Sequence, residues 1–291
     1  MLIDTHAHLN FNAYKDDADE VIRRSLDSDV WMINVGSQYE TSKRAVEIAE
    51  RYKKGVYAAI GLHPIHLETG LVKVKVDQEE VEFKTREEDF DYEKYKNLAR
   101  SKKVMAVGEI GLDYYYRPKT KSKLAVFKEK QRTVLRQQLN LAVELNLPII
   151  FHCRMAHDEL IEMLKQYDKT IQGVVHCFSG DWQQAEKYLK MGFYLGFNGI
   201  IFKFKGDETS SHLSPRVASP HSVLDEIIEK APLNRILVET DCPYLTPPPM
   251  IGRNEPIYVR YVAERIAKIK KLSYEEILEL TSKNAKNLFN I

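Results

Sequence analysis

VMAVGEIGLDYYYRPKTKSKLAVFKEKQRTVLRQQLNLAVELNLPIIFHCRMAHDELIEMLKQYDKTIQGVVHC, residues 104–177, holds three strand-like runs separated by two helix-like ones. Val104–Ile110, Pro148–His152 and Gly173–Cys177 are short and apolar. Ser122–Leu145 and Asp158–Tyr167, between them, are amphipathic and suit helices that cover a sheet. Strand, helix, strand, helix, strand is the order of parallel βα units, because a parallel neighbour is reached only through a crossover.

The same alternation continues outward from this stretch. Leu2–His6, Trp31–Val35 and Val56–Leu62 read as strands before it, and Phe193–Phe197 and Ile236–Thr240 after it. Thr41–Lys53, Gln183–Met191 and Ser222–Lys230 read as helices, and Pro256–Lys270 and Ser273–Asn290 as terminal ones. The eight strand candidates predict an α/β fold, a (β/α)8 TIM-type barrel formed by residues 1–291 as a single domain. An open doubly wound sheet is the alternative. It would carry a glycine-rich phosphate turn after the first strand, and MLIDTHAHLNF has none. The length of 291 residues and the 44% hydrophobic content suit one barrel with a substantial core.

Two segments exceed an ordinary βα loop. In Ile65–Asp91, Val72, Val74 and Val76 alternate with Lys73 and Lys75, and Val81 and Phe83 alternate with Glu80, Glu82 and Lys84. That alternation predicts a β-hairpin. Lys203–Pro220 is rich in Ser, Pro, Gly and charge and reads as an irregular loop. Both follow strands, so a barrel sets them on its C-terminal face, where active sites are built. Lys and Arg total 43 against 42 Asp and Glu, a net charge of +1. Such a balance excludes a protein that wraps long duplex DNA and leaves only local contacts with a strand end or a few phosphates. No charged segment followed by an apolar one opens the chain, and no apolar run approaches the ~20 residues that span a bilayer. Three Cys without a CxxC argue for reduced thiols, and with them a cytoplasmic location away from membranes.

His6 and His8 end the first strand as an HxH pair, and a spacing of two turns both rings to one side, here into the barrel. Alone the pair is equally an ordinary pair of strand histidines. Its meaning comes from repetition: Glu109 lies on the fourth strand, His152 and His176 end the fifth and sixth, and Asp241 follows the eighth. Strand C-termini converge at one mouth of a barrel, so these donors should meet there. They are too many for one tetrahedral ion and suit two ions bridged by a carboxylate. Glu109 is the expected bridge, with His6, His8 and Asp241 on one ion and His152 and His176 on the other. The flanking glycines of GEIGLD let the backbone crowd the site. Cys153, Cys177 and Cys242 each follow a proposed ligand and should point outward, toward the helices.

With those residues in view, the chain resembles the TatD family of metal-dependent deoxyribonucleases. MLIDTHAHLNF, GLHP, GEIGLDYYY, the QL-x-LA-x-ELNLPIIFHCR run, HCFSG and ETDCPYLTPPP followed by GRNEP look like that family's successive signatures, through about Val262. The resemblance implies a TIM-type barrel of the amidohydrolase-like superfamily. It also implies a divalent two-metal site at His6, His8, Glu109, His152, His176 and Asp241, and hydrolysis of DNA phosphodiester bonds, often as an exonuclease on single strands. His63 of GLHP matches a further site histidine that touches substrate; a strand-end capping role is its plainer reading. HCR is followed by Met155 where the family carries an acidic residue, and both long segments exceed the family norm. The acids of the hairpin region (Glu79, Glu80, Glu82, Glu87, Glu88, Asp89) make it a poor binder of a phosphate backbone.

The expected chemistry is attack of water on a phosphodiester whose charge two cations neutralise. Asp241 and Glu109 are the catalytic carboxylates, with Asp241 placed to accept the proton of the water and His63 at the substrate. Glu239, two residues before Asp241, faces the same way and is expected behind the ligands. Arg253 and Asn254 of GRNEP are candidate phosphate contacts, as is Arg154 if the fifth strand runs that far; it is expected to end first. Each has a surface or scaffold role as its alternative. Tyr114–Tyr116 could stack on bases or simply pack. The four His favour Zn or Mn, while the carboxylates allow Mg. DNA as single strands or strand ends is the expected partner, without an obligate protein partner. Two rival functions remain. One is hydrolysis of a small amide, lactone or deaminated ring, although many such relatives bridge their metals through a carboxylated lysine where this chain has Glu109. The other is non-enzymatic nucleic-acid binding, against which the intact donor set argues.

Overall fold

The computed structural model describes residues 1–68, 71–76, 79–167, 170–202 and 220–291. In chain order the strands are β1 (Leu2–Ala7), β2 (Val30–Val35), β3 (Val56–Ile60), β4 (Leu71–Val76), β5 (Glu79–Lys84), β6 (Val104–Asp113), β7 (Ile149–Arg154), β8 (Gly173–Val175), β9 (Tyr194–Phe197) and β10 (Ile236–Val238). The helices are α1 (Ala18–Asp27), α2 (Tyr39–Glu50), α3 (Tyr92–Leu98), α4 (Lys121–Leu145), α5 (His157–Leu164), α6 (Trp182–Lys190), α7 (Pro220–Lys230), α8 (Val259–Lys270) and α9 (Tyr274–Phe289).

All eight predicted strands are present and pair in the order β1-β2-β3-β6-β7-β8-β9-β10, each parallel to its neighbour. The first and last meet beyond β10, where Asp241 N donates to His6 O at 2.8 Å and His8 N to Cys242 O at 3.0 Å. The result is a nearly closed (β/α)8 barrel. Asp4, fully buried, reinforces that seam by accepting from Thr240 N at 2.9 Å and Thr240 Oγ1 at 2.6 Å.

Ile3, Ile33, Ala59, Ala106, Ile150, Val174, Tyr194 and Leu237, one from each barrel strand, fill the lumen. Ala285, Leu288 and Phe289 of α9 pack against this lower layer, which makes it a packed floor. Leu2, Val107, Ile110, Leu112, Phe151 and Val175 instead join the layer between sheet and helices. Helix starts follow local chemistry. Ser273 accepts from Glu276 N at 3.2 Å while the Glu276 carboxylate takes Ser273 N at 2.8 Å, a reciprocal cap that opens α9.

The predicted hairpin is β4 and β5, antiparallel, with Val74 opposite Val81 and Val72 opposite Phe83. Its base is tied by Thr85 Oγ1 donating to Glu68 O at 2.8 Å. The predicted irregular loop Lys203–Pro220 lies outside the described residues, save Pro220, which opens α7. Among the described residues, no helix is long and apolar enough to cross a membrane.

Candidate metal centre

Inward residues at the C-terminal strand ends deliver the site, and on two strands simple alternation would have failed. Ile3 faces the lumen but Ala7 and Leu9 face the helix layer. The parity of β1 therefore switches, and its pairing with β2 shifts register between Asp4 and Ala7. That irregularity turns His6 and His8 inward. On β6, Ala106 faces in and both Val107 and Ile110 face out. A register shift between Gly108 and Ile110 accounts for the switch and turns Glu109 inward. Bulges of this kind re-aim side chains beside active sites. On β7, β8 and the segment after β10 plain alternation continues from Ile150, Val174 and Leu237 to His152, His176 and Asp241. Gly111 is required here, because at φ +156° a Cβ would lie 1.8 Å from His152 O.

The six predicted ligands come together. His6 Nε2 lies 3.1 Å from His8 Nε2, 3.5 Å from Glu109 Oε2 and 3.8 Å from Asp241 Oδ1. His8 Nε2 lies 3.3 Å from Asp241 Oδ1. Glu109 Oε1 lies 2.7 Å from His152 Nδ1 and 3.8 Å from His176 Nε2. Donors bound to one ion at about 2.0–2.2 Å stand roughly 3–3.6 Å apart, so the spacings of His6 to His8 and Glu109 and of His8 to Asp241 match the edges of a coordination shell, and His6 to Asp241 is slightly wider. His63, Glu109 and His152 also have donor atoms within 4.8 Å of one another, as do His6, Glu109 and His176, whereas no such group joins His152 to His176 among the described residues.

Second contacts decide which nitrogen four of the rings offer, while His6 Nδ1 is buried without a hydrogen-bond partner among the described residues. His8 Nδ1 reaches Val35 O at 2.8 Å, which places a proton on Nδ1 and leaves the Nε2 lone pair facing the site. His176 Nδ1 is ion-paired with Glu239 Oε1 at 2.8 Å, outside hydrogen-bond geometry, and its Nε2 faces the site. His152 Nε2 reaches Asp113 Oδ2 at 3.0 Å, leaving Nδ1 toward Glu109. His63 is the reverse. Its Nδ1 accepts Ile65 N–H at 3.0 Å, so the neutral ring carries its proton on Nε2, 3.5 Å from Glu109 Oε1. His63 thus caps a turn and presents a donor to the site, and its geometry suits a substrate contact better than a metal ligand.

Burial sets the electrostatics. It pushes His6 down to about 4, which keeps the ring neutral and ligand-ready. Burial also opposes charge at His176, yet the Glu239 and Asp241 carboxylates outweigh it and raise that ring to about 10. Burial would raise Glu109, but His63, His6 and His152 hold its carboxyl well below the usual range. Asp241 is held low in the same way, chiefly by His176 and His8 against its burial. The carboxylates are therefore anionic at neutral pH, and a divalent cation is their natural complement.

Other predicted residues have different surroundings. β7 runs to Arg154, past the expected end at His152, so Arg154 shares a side with His152. Its guanidinium is spent on Asp113, with Nη2 at 2.6 Å from Oδ2, and it stacks over Tyr115 at 4.5 Å. Tyr114 is buried, while Tyr116 stands 37% exposed at the rim. Asn254 is fully buried and donates to Thr240 O at 3.0 Å and Tyr244 O at 2.6 Å, so it braces the turn that carries Asp241. Arg253 pairs with Asp17 and lies over the Tyr14 ring at 4.1 Å. Cys153 and Cys242 point into the outer layers as expected. Cys177 does not. β8 ends at Val175, Cys177 has φ 44°, and its sulfur lies within 4.8 Å of the His176 and Asp241 donors. The residue missed from sequence is Asp113. Its signal was its place in GEIGLD, four residues after Glu109 on a strand that proves longer than its apolar run.

The chain is similar over its whole length to metal-dependent hydrolases. The YjjV protein of Escherichia coli K12, a TatD homologue of known structure, superposes with a TM-score of 0.79 at 31% identity, over 100% of this chain and 98% of that one. The uncharacterised metal-dependent hydrolase YabD of Bacillus subtilis is 40% identical over the whole of both chains. A Salmonella typhimurium protein named 3'-5' ssDNA/RNA exonuclease TatD is 28% identical, across 100% of this chain and 99% of that protein. A family model described as TatD related DNase matches residues 3–290, and the chain belongs to that family of metal-dependent hydrolases.

Proposed function

We propose that this hydrolase is a two-metal deoxyribonuclease that removes nucleotides from the ends of single-stranded DNA, in the 3'-5' direction. The observation that carries the reading is the reach of Glu109. One carboxylate oxygen stands 3.5 Å from His6 Nε2 and the other 2.7 Å from His152 Nδ1, as a group shared by two ions must. The name of the Salmonella relative supports the substrate class. The net charge of +1 supports a short contact with a strand end. Three free cysteines support a cytoplasmic location.

His6, His8 and Asp241 would hold one ion, His152 and His176 the other, and Glu109 both; Zn, Mn and Mg all suit such donors. Bound ions would supply charge neutralisation at the phosphate and a water acidic enough to be deprotonated near neutral pH. Asp241, kept ionised, accepts the proton of the attacking water. His63 donates from Nε2 to an oxygen of the phosphate, since Ile65 N–H holds its other nitrogen as an acceptor. Asp113 and Glu239 orient His152 and His176. Asn254 and Arg253 serve the substrate through the loop they brace.

The test is digestion of end-labelled single- and double-stranded DNA with Mg²⁺, Mn²⁺ or Zn²⁺, wild type beside His152→Ala, with amide and lactone substrates in parallel. Stepwise loss of 3'-terminal nucleotides by wild type alone supports the proposal. Turnover restricted to amides or lactones overturns it, as does oligonucleotide binding without cleavage under every metal.

A further inference from the structure

We infer that α4 aligns the two sides of the site through a pair of buried glutamines, Gln131 and Gln138, acting as positioning residues. Each is nearly inaccessible, at 2% and 1% exposure. A buried primary amide must satisfy a donor and an acceptor, and an unmet one is costly. Gln131 spends both on a single residue: Oε1 takes Asp113 N and Nε2 gives to Asp113 O, both at 2.9 Å. Gln138 does the same at Leu62, with Oε1 to N at 2.7 Å and Nε2 to O at 3.0 Å.

The reason for the device lies in the sheet. Pairing between β3 and β6 ends at Ile60 and Val107, so both chains run on to the mouth without strand pairing to each other. Leu62 and Asp113 lie beyond that point, and their backbone groups would be orphaned. Each glutamine offers one N–H and one C=O, the same pair that a neighbouring strand would present. The two are seven residues apart on α4, two helical turns, and so project from one face. Each clamped residue leads directly to a site histidine. Leu62 precedes His63, and Asp113 accepts His152 Nε2 at 3.0 Å. One helix thereby fixes the donor side of the site and the His152 side in a single frame.

The inference deepens the proposed function and rests on it only for activity; metal binding and histidine tautomers are measured without substrate. Gln131→Met and Gln138→Met keep volume and remove both hydrogen bonds. Val134→Ala, a core truncation on the same helix, serves as the control for lost stability. Gln131→Met is expected to weaken Mn²⁺ or Zn²⁺ binding by about tenfold, the low end for a lost partner of a ligand, because it acts on His152 through Asp113. It should also disturb the Nε2–H signature of His152 in ¹⁵N–¹H spectra. Gln138→Met should hold metal affinity within about threefold, disturb the His63 signature instead, and lower kcat at least tenfold with KM little changed. The inference is overturned if both glutamine variants match Val134→Ala in metal affinity and histidine spectra, or if both lose metal equally. If Gln131→Met does not fold, Gln131→Glu, which retains the acceptor for Asp113 N–H, goes through the same comparison. An inactive wild type with an intact Gln131→Met metal defect sinks the nuclease reading alone.

Discussion

Glu109 carries the greatest charge burden of any residue in the site, with His6, His63, His152 and His176 all within 3.8 Å of its carboxylate oxygens. Removing it should empty both halves. Glu109→Ala is expected to bind fewer than about 0.2 equivalents of divalent metal by elemental analysis, while retaining its far-ultraviolet circular dichroism. Two ions retained in that variant would refute the shared-ligand assignment. A different kind of residue is His157, away from the ligands, with Nδ1 3.3 Å from Tyr188 Oη and a buried Nε2 without a partner among the described residues. Burial lowers it to about 4 from an ordinary 6.5. The unfolded chain takes up a proton there at a pH where the folded one does not. Its contribution is therefore fully present above pH 6.5 and is lost as pH falls toward 4. Urea denaturation at pH 7 and pH 5 should show wild type losing about 2 kcal/mol more than His157→Phe over that interval. Equal losses in the two proteins would mean that the ring is charged in the fold.

At the scale of elements, the hairpin and the strand bulges separate what is dispensable from what is not. β4 and β5 pair only with each other among the described strands. Their base is already spanned by the Thr85–Glu68 hydrogen bond, so the chain leaves and re-enters the barrel at nearly one point. Replacing residues 71–84 with a short glycine turn should shift the melting temperature by less than about 3 °C and leave metal content unchanged. A change confined to substrate preference would mark the hairpin as part of the mouth. The bulges in β1 and β6 are different in kind, since straightening either would turn its ligands into the helix layer. Alternation made the hairpin legible in the sequence, whereas an extra residue in a strand leaves no mark on its composition. The inward placement of His6 and His8 was reached from their spacing alone, and it holds because a register shift compensates for a parity that Ile3 sets the other way.

The whole molecule has a net charge of +1, and under the proposed function its anionic site would receive a phosphate only with cations bound. Long-range attraction to DNA should therefore be weak. Binding of a short oligonucleotide to metal-loaded, catalytically silenced protein should depend on salt with a log–log slope of about −2 or shallower, as for two or three neutralised phosphates. A slope near −6, read by fluorescence anisotropy between low and physiological salt, would reveal an extended basic track and contradict the strand-end reading. The molecule also holds its mouth together across the seam. Asp4 and Thr240 tie β1 to the segment after β10, the two segments that bring His6, His8 and Asp241 to one place.

By itself the sequence determined the alternation of eight strands with helices, the parallel barrel, and the convergence of His6, His8, Glu109, His152, His176 and Asp241. Periodicity and strand-end position are local properties, written in consecutive residues. Only the tertiary structure decided which ring nitrogen His8, His63, His152 and His176 offer, that Arg154 belongs to Asp113, that Asn254 braces a turn, and that Gln131 and Gln138 stand in for a missing strand. Those outcomes depend on hydrogen bonds between residues far apart in the chain, such as the 76 positions that separate Leu62 from Gln138. A buried polar group takes whatever partner the closed fold sets beside it, and no pattern along the chain names that partner in advance.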